Sequence, residues 1–343
     1  MGSVSGRALL CRGPVAGVLV SLVAVAVACC QPLPPTPVIV DDDGSADGMI
    51  GLLCLLQDPQ FQVKAVTICQ GLAHPDVFAP LAARMLARVE RRGIPVAAGR
   101  LAPLQGTNAF PEAWRGDTDR FWGVDLPATA PAPSRLPAAQ LLVQTIRRSP
   151  RPVIIVATGP LTNVAEALRL SPGIAAKIRL VEVMGGAVWT AGNVGREWPA
   201  IDNQVAEWNI WVDPVAAHEV LASGVRVRFM PLDVTDKVVF YPDDAIAWRA
   251  TGTAEGKLAA DLLDYLHRQI SPTGCSVWDA LAAVDIGDPR ACWARDVHIE
   301  IVTEPGPRQG MTALKPDLAP NCQSCRRPRS ERIKTRILEL LAS

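Results

Sequence analysis

Short β-branched segments alternate with longer Ala- and Leu-rich segments along this chain, and that alternation constrains its fold more than any other feature. Strands that alternate with helices predict βαβ units, in which right-handed crossovers place successive strands parallel in one sheet. A hydrophobic content of 49% excludes a disordered chain. We therefore predict an α/β fold with a doubly wound, mainly parallel central sheet flanked by helices. The segments, in chain order, are 38–40, 49–57, 63–68, 77–92, 152–157, 161–170, 178–184 and 225–230.

The N-terminal segment has the pattern of an export signal and is kept apart from the fold. Arg7 and Arg12 give it a basic start, residues 14–28 form an uncharged apolar run, and Cys29 follows small residues. This order predicts lipid attachment at Cys29, with a plain secretory signal or an uncleaved anchor as the alternatives. We expect an exported protein, anchored to a bacterial membrane through Cys29 or otherwise periplasmic or secreted. The chain then divides into a signal peptide at 1–28, a Pro-rich tether at 29–37 and a single domain at 38–343.

The charge balance bears on the kind of partner. Lys and Arg together number 34, as do Asp and Glu. A chain with no excess of basic residues lacks the electrostatic footprint of a nucleic-acid-binding protein. We therefore expect a small-molecule partner and no nucleic acid.

Four carboxylates crowd the end of the first predicted strand. Asp41, Asp42, Asp43 and Asp47 lie within seven positions, between an apolar strand and an apolar helix. Neighbouring carboxylates repel and raise one another's pKa, so such a cluster needs a cation, backbone amides or hydroxyls to balance it. A helix cap would use one Asp and leaves three in a row unexplained. The cluster predicts a site for a hard cation or a polyol.

Polar residues also follow the later predicted strands. Thr158 and Asn163 follow one strand, and Asn193 and Glu207 follow the next. Ligands of an open parallel sheet bind outside the carboxyl ends of its strands, so these residues should share one edge with the acidic cluster. They offer oxygen and amide groups without clustered histidines or cysteines. That chemistry favours Ca²⁺ or Mg²⁺ over Zn²⁺ or Cu²⁺.

The cysteines carry little functional signal. Cys54 and Cys69 lie in apolar runs and are expected to be buried as small hydrophobic residues. Cys322-x-x-Cys325 has no second pair beside it, which favours a loop disulfide or free thiols over a zinc site.

Six short segments occur in an order and spacing that resemble one family. They are D-D-D-G-S-A-D-G at 41–48, A-T-G-P-L-T-N at 157–163, M-G-G at 184–186, G-N at 192–193, A-E-W-N-I-W-V-D-P at 206–214 and V-W-D-A at 277–280. Together they resemble the inosine-uridine-preferring nucleoside hydrolase family, whose opening motif is D-x-D-x-x-x-D-D. The resemblance runs from about Val38 to the C-terminus, and several ordered motifs are more specific than one.

The resemblance implies a fold, a reaction and a set of roles. It implies hydrolysis of the N-glycosidic bond of ribonucleosides, with Ca²⁺ as cofactor. Asp43 would bind the ion and act as base toward the attacking water, and Asp279 would bind the ion and touch the ribose. Thr158 would lend its backbone carbonyl to the ion, and Asp47 is also a candidate metal ligand. Carboxylates beside the sugar suit an oxocarbenium-like transition state. The ribose hydroxyls would be held by Asp47, Asn193, Glu207 and Asn209.

One departure from the family motif bears on the metal. Gly48 stands where the family has a second consecutive Asp that binds the metal, so the Ca²⁺ shell is weakened unless Asp42 or Asp47 substitutes. If the strand pleat persists through the triplet, Asp42 points away from Asp41 and Asp43. The alternative function is therefore a catalytically inactive nucleoside- or ribose-binding lipoprotein that has lost its metal affinity. A Gly48→Asp variant that gains metal affinity would show that the defect lies at this position.

Other departures and candidates concern the base. Leu72 replaces an Asn near the ribose, and Trp278 stands where some members have a His that protonates the leaving base. Trp278 could stack on a purine instead. His74 follows the second strand and is a substrate-contact candidate, with a structural role as the alternative. Trp189 or Trp198 could stack on a base, with core packing as the alternative.

A long segment at 100–134 is rich in Pro, Gly and aromatic residues and has no clear period. Such loops often close over ligands, so residues 110–122 are either a lid or ordinary surface packing. The family resemblance also implies a homo-oligomer as a candidate assembly.

Overall fold

The computed structural model describes residues 1–3 and 34–343. Within 34–343, eight strands form a central sheet, and four more form two small two-stranded sheets. The strands are β1 (Thr36–Asp42), β2 (Phe61–Ile68), β3 (Val96–Ala98), β4 (Val153–Thr158), β5 (Ile178–Met184), β6 (Val227–Met230), β7 (Val239–Phe240), β8 (Cys275–Ser276), β9 (Cys292–Val297), β10 (Ile299–Ile301), β11 (Thr312–Leu314) and β12 (Cys322–Pro328).

The central sheet has the order β3-β2-β1-β4-β5-β6-β12-β9. All neighbouring pairs run parallel except β12 and β9, which are antiparallel. The chain builds outward from β1 in one direction through β2 and β3 and in the other from β4 onward. The switch point therefore lies between β1 and β4, where open α/β sheets bind their ligands. The predicted doubly wound, mainly parallel α/β fold is confirmed.

Helices cover both faces of this sheet. Along β1, Val38 and Val40 belong to one apolar layer and Ile39 to the opposite one, because successive side chains of a strand point to opposite faces. A strand buried on both faces needs a continuous apolar run, and 38–40 provides it. The helices are α1 (Ala46–Gln57), α2 (Pro75–Arg88), α3 (Glu112–Thr118), α4 (Ala138–Arg148), α5 (Thr162–Leu170), α6 (Val194–Glu197), α7 (Trp208–Val212), α8 (Pro214–Ala222), α9 (Leu232–Thr235), α10 (Pro242–Ala250), α11 (Ala254–Gln269), α12 (Trp278–Asp285) and α13 (Ser330–Leu341).

The C-terminal part contains structure that periodicity does not reveal. β12 has the polar sequence C-Q-S-C-R-R-P, yet it lies between β6 and β9 in the central sheet. Within it Cys325 forms a disulfide with Cys292, while Cys322 is buried and free. The C-x-x-C segment is thus neither a disulfide loop nor a pair of free thiols. The predicted burial of Cys54 and Cys69 is confirmed, since neither is exposed to solvent.

The chain ends in an amphipathic helix, and the predicted long loop contains short helical turns. α13 buries Ile333 and Ile337 on one side, as its apolar spacing predicts. The segment at 100–134 contains α3 and a short 3-10 turn at Phe121–Gly123.

The predicted signal peptide and Cys29 lie outside the described residues. Thr36–Ser343 form one compact unit. A search of the described part of the chain found no helix with the length and apolar character needed to cross a membrane.

Candidate active site

The acidic cluster lies at the switch point because β1 and β4 both end there. Asp42 is paired in register with Thr158, the last residue of β4. Asp43 follows directly and is packed against Gly71 and Gly159. A Cβ atom placed at Gly71 would lie 2.3 Å from Asp43 Oδ2, and one placed at Gly159 would lie 2.6 Å from Asp43 Cβ. Glycine at both positions is therefore what lets the backbone approach Asp43 so closely.

The three consecutive aspartates do not share one environment. Asp41 Oδ1 accepts hydrogen bonds from the Thr67 hydroxyl at 2.6 Å and from Asn163 Nδ2 at 2.8 Å. Burial raises the pKa of Asp41 to about 7, against the lowering effect of these two donors. Asp41 thus ties β1 to β2 and to α5, and it stands apart from the other two.

Asp42 and Asp43 lie together. The strand ends at Asp42, so the pleat that would send neighbouring side chains to opposite faces does not extend to Asp43. Asp42 Oδ1 accepts from the Gly44 amide and Oδ2 from the Thr158 hydroxyl, both at 2.7 Å. Burial raises the pKa of Asp42 to about 7 despite these hydrogen bonds. The condition under which Asp42 would point away from Asp43, a pleat that persists through the triplet, is therefore not met, and one oxygen of Asp42 lies within 4.8 Å of one of Asp43.

Asp43 has one oxygen without a protein partner. Its Oδ2 accepts from the Leu72 amide at 3.2 Å, while Oδ1 is buried and has no hydrogen-bond partner among the described residues. Burial, and after it the charge of Asp42, holds the pKa of Asp43 well above its usual range. A buried oxygen of this kind is costly unless a ligand satisfies it.

Asp279 reaches the cluster from the far end of the chain. It stands in the first turn of α12, and its Oδ2 accepts a hydrogen bond from the Ser45 hydroxyl. Asp47 Oδ2 accepts from the Asp279 amide at 3.0 Å, so the first turns of α1 and α12 are tied to each other. Ser45 caps α1 by accepting from the Gly48 amide at 2.8 Å.

The geometry suits a divalent cation. One carboxylate oxygen each from Asp42, Asp43 and Asp279 lie within 4.8 Å of one another. Ca²⁺ binds oxygen at about 2.3–2.6 Å, so two oxygens on one ion are at most about 5 Å apart. Three buried carboxylates at this spacing repel strongly, and the pKa of Asp279 is also held well above its usual range, by burial and then by Asp47 and Asp42. The residues therefore fit a hard cation.

Three of the predicted ribose-binding residues follow β5 and lie at the starts of two short helices: Asn193 at α6, and Glu207 and Asn209 at α7. Glu207 caps α7, accepting from the amides of Asn209, Gly186 and Ile210 at 2.9, 3.0 and 3.2 Å. Burial raises the pKa of Glu207 to about 7 against these three donors. The charge of Glu207 is also a minor cause of the raised pKa of Asp43, after burial and the charges of Asp42 and Asp47.

The two asparagines of this group are held by the backbone. Asn209 Nδ2 donates to the Met184 carbonyl at 3.1 Å, and Asn193 Oδ1 accepts from the Trp208 amide at 3.2 Å. Both side chains are buried. Their roles toward ribose stay predictions, as do those of Asp47 and Glu207.

An aromatic cluster adjoins the acidic residues. Leu72, whose amide binds Asp43, packs on a cluster that contains Phe110, Trp114, Trp198 and Trp208. The candidate lid at 110–122 therefore packs in two different parts of the molecule. Its first part, Phe110 and Trp114, belongs to this cluster. Its last part, Phe121 and Trp122, packs in the core around Phe78.

His74 joins the second strand to the lid segment. Its Nδ1 lies 2.7 Å from Asp119 Oδ2, and its Nε2 lies 3.2 Å from Arg115 Nη1. Arg115 is buried and donates through Nε to the Gly71 carbonyl at 3.1 Å. Both ring nitrogens of His74 therefore have partners within the chain, and its contact with substrate stays a prediction.

Two tryptophans named from the sequence lie in different settings. Trp278 Nε1 donates to Asp236 Oδ1 at 2.8 Å, and Asp236 also pairs with Arg196. Trp189 packs against the apolar layer that contains Ile39, with the guanidinium of Arg326 over its ring. Trp198 belongs to the aromatic cluster. Trp198 is thus the better placed of the two base-stacking candidates.

Several contacts of the site could not be predicted from the sequence. Ser45 has the N-cap signal that precedes a helix, but nothing in the sequence pairs it with Asp279. Arg115 lies in the candidate lid at 110–122, but nothing in the sequence predicts its contacts with Gly71 and His74. Gln70, at the end of β2, is buried with both amide atoms unpartnered among the described residues. Only the tertiary contacts reveal these three.

The sheet is doubly wound, and buried carboxylates spaced to hold one divalent ion lie at its switch point, flanked by amide and carboxyl groups. This arrangement defines the class of α/β proteins that bind a small ligand at that edge of the sheet. Comparison with known proteins identifies the family. The model of the inosine-uridine preferring nucleoside hydrolases matches residues 38–335. This chain belongs to that family, as its motifs indicate, and is an N-ribosyl hydrolase by class.

Curated relatives agree with this assignment. The pyrimidine-specific ribonucleoside hydrolase RihA of Citrobacter koseri is 35% identical over 283 residues, which cover 81% of this chain and 88% of that protein. RihA of Salmonella arizonae is 38% identical over 229 residues, covering 67% and 70% of the two chains.

Solved structures share the fold. The purine-preferring ribonucleoside hydrolase from Gardnerella vaginalis superposes with a TM-score of 0.78 at 23% identity, over 89% of this chain and 99% of that one. The inosine-uridine preferring nucleoside hydrolase from Bacillus anthracis gives 0.75 at 24% identity, over 90% and 99%.

Proposed function

We propose that this protein cleaves the N-glycosidic bond of ribonucleosides to free base and ribose, with Asp43 at the centre of the reaction and Ca²⁺ as the cofactor. The observation that carries the proposal is the convergence of Asp43 with Asp279 at the switch point, with Asp43 Oδ1 buried and without a partner among the described residues. Asp43, Asp279 and the Thr158 carbonyl would hold the ion, with Asp47 beside them.

The chemistry follows from the residues around that point. A divalent cation held by these residues would lower the pKa of an adjacent water toward neutrality. Asp43 accepts the proton of the attacking water at Oδ1, the oxygen that has no donor among the described residues. Its other oxygen stays on the Leu72 amide, which fixes the direction of the carboxylate. Burial of these groups strengthens the electrostatic stabilisation of a positively charged sugar.

The ribose is bound by groups on both sides of Asp43. Asp47 and Asp279 approach from the helix side, and Asn193, Glu207 and Asn209 from the ends of the later strands. A site built from hydroxyl-binding groups rejects a sugar that lacks one hydroxyl, because its buried polar groups are then left unpaired. We therefore expect ribonucleosides to be cleaved much faster than 2′-deoxyribonucleosides.

The base lies toward the aromatic cluster and Trp278. Trp198 and Trp114 present partly exposed rings that can stack on a base. Trp278 cannot supply a proton to the leaving base, and its indole N–H is already directed at Asp236. Departure of the base thus depends on stabilisation of the sugar cation more than on protonation of the leaving group.

A nucleoside panel tests this function. The purified protein is incubated with purine and pyrimidine ribonucleosides, with Ca²⁺ or with a chelator, and free base and ribose are followed. We expect Ca²⁺-dependent release that Asp43→Ala reduces by at least about a thousandfold. Asp58→Asn is the control, because Asp58 is a buried carboxylate between α1 and β2 that pairs with Arg336. Nucleoside binding without release would instead support the catalytically inactive binding lipoprotein.

We also propose that the protein is exported and anchored through Cys29. The support is the basic start, apolar run and small residues before Cys29. Metabolic labelling with a fatty acid should mark the wild type and leave Cys29→Ala unlabelled, with Cys30→Ala as the matched control. Equal labelling of all three would exclude Cys29 as the attachment site.

A further inference from the structure

The position of Gly48 and the side chain of Asp42 are spatially related. A Cβ atom placed at Gly48 would lie 1.8 Å from Asp42 Oδ2 and 2.8 Å from Asp42 Cγ. Nonbonded carbon and oxygen atoms do not approach closer than about 3 Å without strain. The Asp42 carboxylate therefore occupies the space into which a side chain at position 48 would project.

The carboxylate of Asp42 is held firmly in that space. The Thr158 hydroxyl binds one oxygen and the Gly44 amide binds the other. One Asp42 oxygen also lies within 4.8 Å of oxygens from Asp43 and Asp279. An independent observation points to a ligand here, since Asp43 Oδ1 is buried and unpartnered among the described residues.

This chain has as many carboxylates in its opening motif as the family pattern, although it lacks the one at position 48. The family pattern D-x-D-x-x-x-D-D has four, and Asp41, Asp42, Asp43 and Asp47 also make four. A Ca²⁺ site depends on the charge and number of its oxygen ligands more than on which residue supplies them. One acidic group has moved from the first turn of α1 to the end of β1.

We propose that Asp42 is a metal ligand of this protein, in the place of the absent carboxylate at position 48. The inference rests on the proposed metal-dependent function and concerns which residue completes the metal shell. Thr158 and Gly44 act as positioning groups through their hydrogen bonds to Asp42. A carboxylate at position 48 is incompatible with the present position of Asp42, so Gly48→Asp alone does not improve the site.

Calorimetric titration with Ca²⁺ tests the proposal directly. The purified protein, Asp42→Asn and the control Asp58→Asn are titrated, and the thermal unfolding of each metal-free protein is recorded. Asn has the shape of Asp and keeps an oxygen for Thr158 or Gly44, so folding should be preserved. We expect Asp42→Asn to bind Ca²⁺ at least about 100-fold more weakly, and Asp58→Asn to match the wild type within about threefold. Equal affinity of Asp42→Asn and wild type would overturn the proposal.

An exchange of the two positions gives a second test. Ser45 Oγ would lie 2.6 Å from a Cβ at position 48, so the exchange is made in a Ser45→Gly background. Because this background also removes the hydrogen bond from Ser45 to Asp279, every variant is compared with Ser45→Gly alone. In that background we expect Asp42→Ala and Gly48→Asp each to weaken Ca²⁺ binding at least about tenfold, and their combination to recover it. A combination that binds no better than Asp42→Ala would contradict the proposal.

The base-release assay separates this proposal from the function on which it rests. Ca²⁺ binding that depends on Asp42, without any release of base, supports the ligand assignment and rejects the hydrolase. Ca²⁺-dependent release that persists in Asp42→Asn, with unchanged affinity, supports the hydrolase and rejects the assignment. Absence of Ca²⁺ binding in the wild type also rejects it.

Discussion

Asp47 accepts a hydrogen bond from the backbone amide of Asp279 at 3.0 Å, across 232 positions of the chain. This contact joins the first turns of α1 and α12. Asp279 therefore reaches Asp43 only while the two helices keep their spacing.

Gly51 sets that spacing. A Cβ atom placed there would lie 3.0 Å from Ala283 Cβ and 3.1 Å from Ala280 Cα. We expect Gly51→Val to push α12 away from α1, to lower the free energy of unfolding by about 1–3 kcal/mol and to weaken Ca²⁺ binding. Gly93→Val is the matched control, because a Cβ there would have no atom of residues 34–343 within 4 Å. Denaturant unfolding and calorimetry measure the two effects, and equal behaviour of the two variants would contradict this account.

A buried charge cluster outside the site predicts a pH dependence. Arg228 binds Glu182 Oε2 at 2.7 Å and Asp285 Oδ2 at 2.6 Å, so one guanidinium serves two buried carboxylates. Burial raises the pKa of Glu182 to about 8, against the opposing charge of Arg228. Burial likewise raises the pKa of Asp285 to about 6.

The raised pKa values of Glu182 and Asp285 determine whether stability rises or falls with pH. A carboxyl with a raised pKa in the folded state holds a proton that the unfolded chain releases, so its contribution to stability is lost as pH rises from about 4.5 through about 8. We expect the free energy of unfolding in saturating Ca²⁺ to fall across that window by at most about 1.4 kcal/mol per pH unit for this group. Glu182→Gln should flatten the dependence, as denaturant unfolding at pH 5 and pH 8 would show. A slope that Glu182→Gln leaves unchanged would exclude Glu182 as its source.

The contacts of Arg115 predict that its substitution weakens substrate binding. It joins α3 to Gly71 and His74, and Gly71 packs directly against Asp43. Lysine cannot reproduce the two-sided contacts of a planar guanidinium. We expect Arg115→Lys to raise KM for ribonucleosides about tenfold, through the loss of one or two hydrogen bonds, with little change in kcat.

The matched control for this variant is Arg120→Lys. Arg120 is exposed and pairs with Asp117 of the same segment. Steady-state kinetics on both variants distinguish the roles. A fall in kcat with unchanged KM in Arg115→Lys would instead indicate that the segment acts on the chemical step.

Loss of the Cys292–Cys325 disulfide is expected to lower stability without changing catalysis. Cys292 and Cys325 join β9 to β12 across a sequence separation of 33. We expect Cys325→Ser to lower the free energy of unfolding by about 2–4 kcal/mol and to leave kcat unchanged. Addition of a reductant should destabilise the wild type and leave Cys325→Ser unaffected. A wild type insensitive to reductant would show that the bond is not formed.

The class of fold, and the edge of the sheet at which the site forms, follow from the sequence alone. Runs such as 38–40 and 152–157 are apolar throughout, and only a strand covered on both faces needs that pattern. Because parallel strands end at one edge, the acidic cluster and Thr158 had to meet there. The ordered motifs also determined the family.

Which carboxylates lie close to Asp43 depends on the tertiary structure. Strand periodicity groups Asp41 with Asp43, but β1 ends at Asp42, so Asp42 joins Asp43 and Asp41 turns to Thr67 and Asn163. From the sequence, Gly48 marks a missing metal ligand. In the structure, the Asp42 carboxylate occupies the space that a side chain at position 48 would take. Side-chain direction at a strand end, and contacts between residues far apart in the chain, depend on packing that no local pattern records.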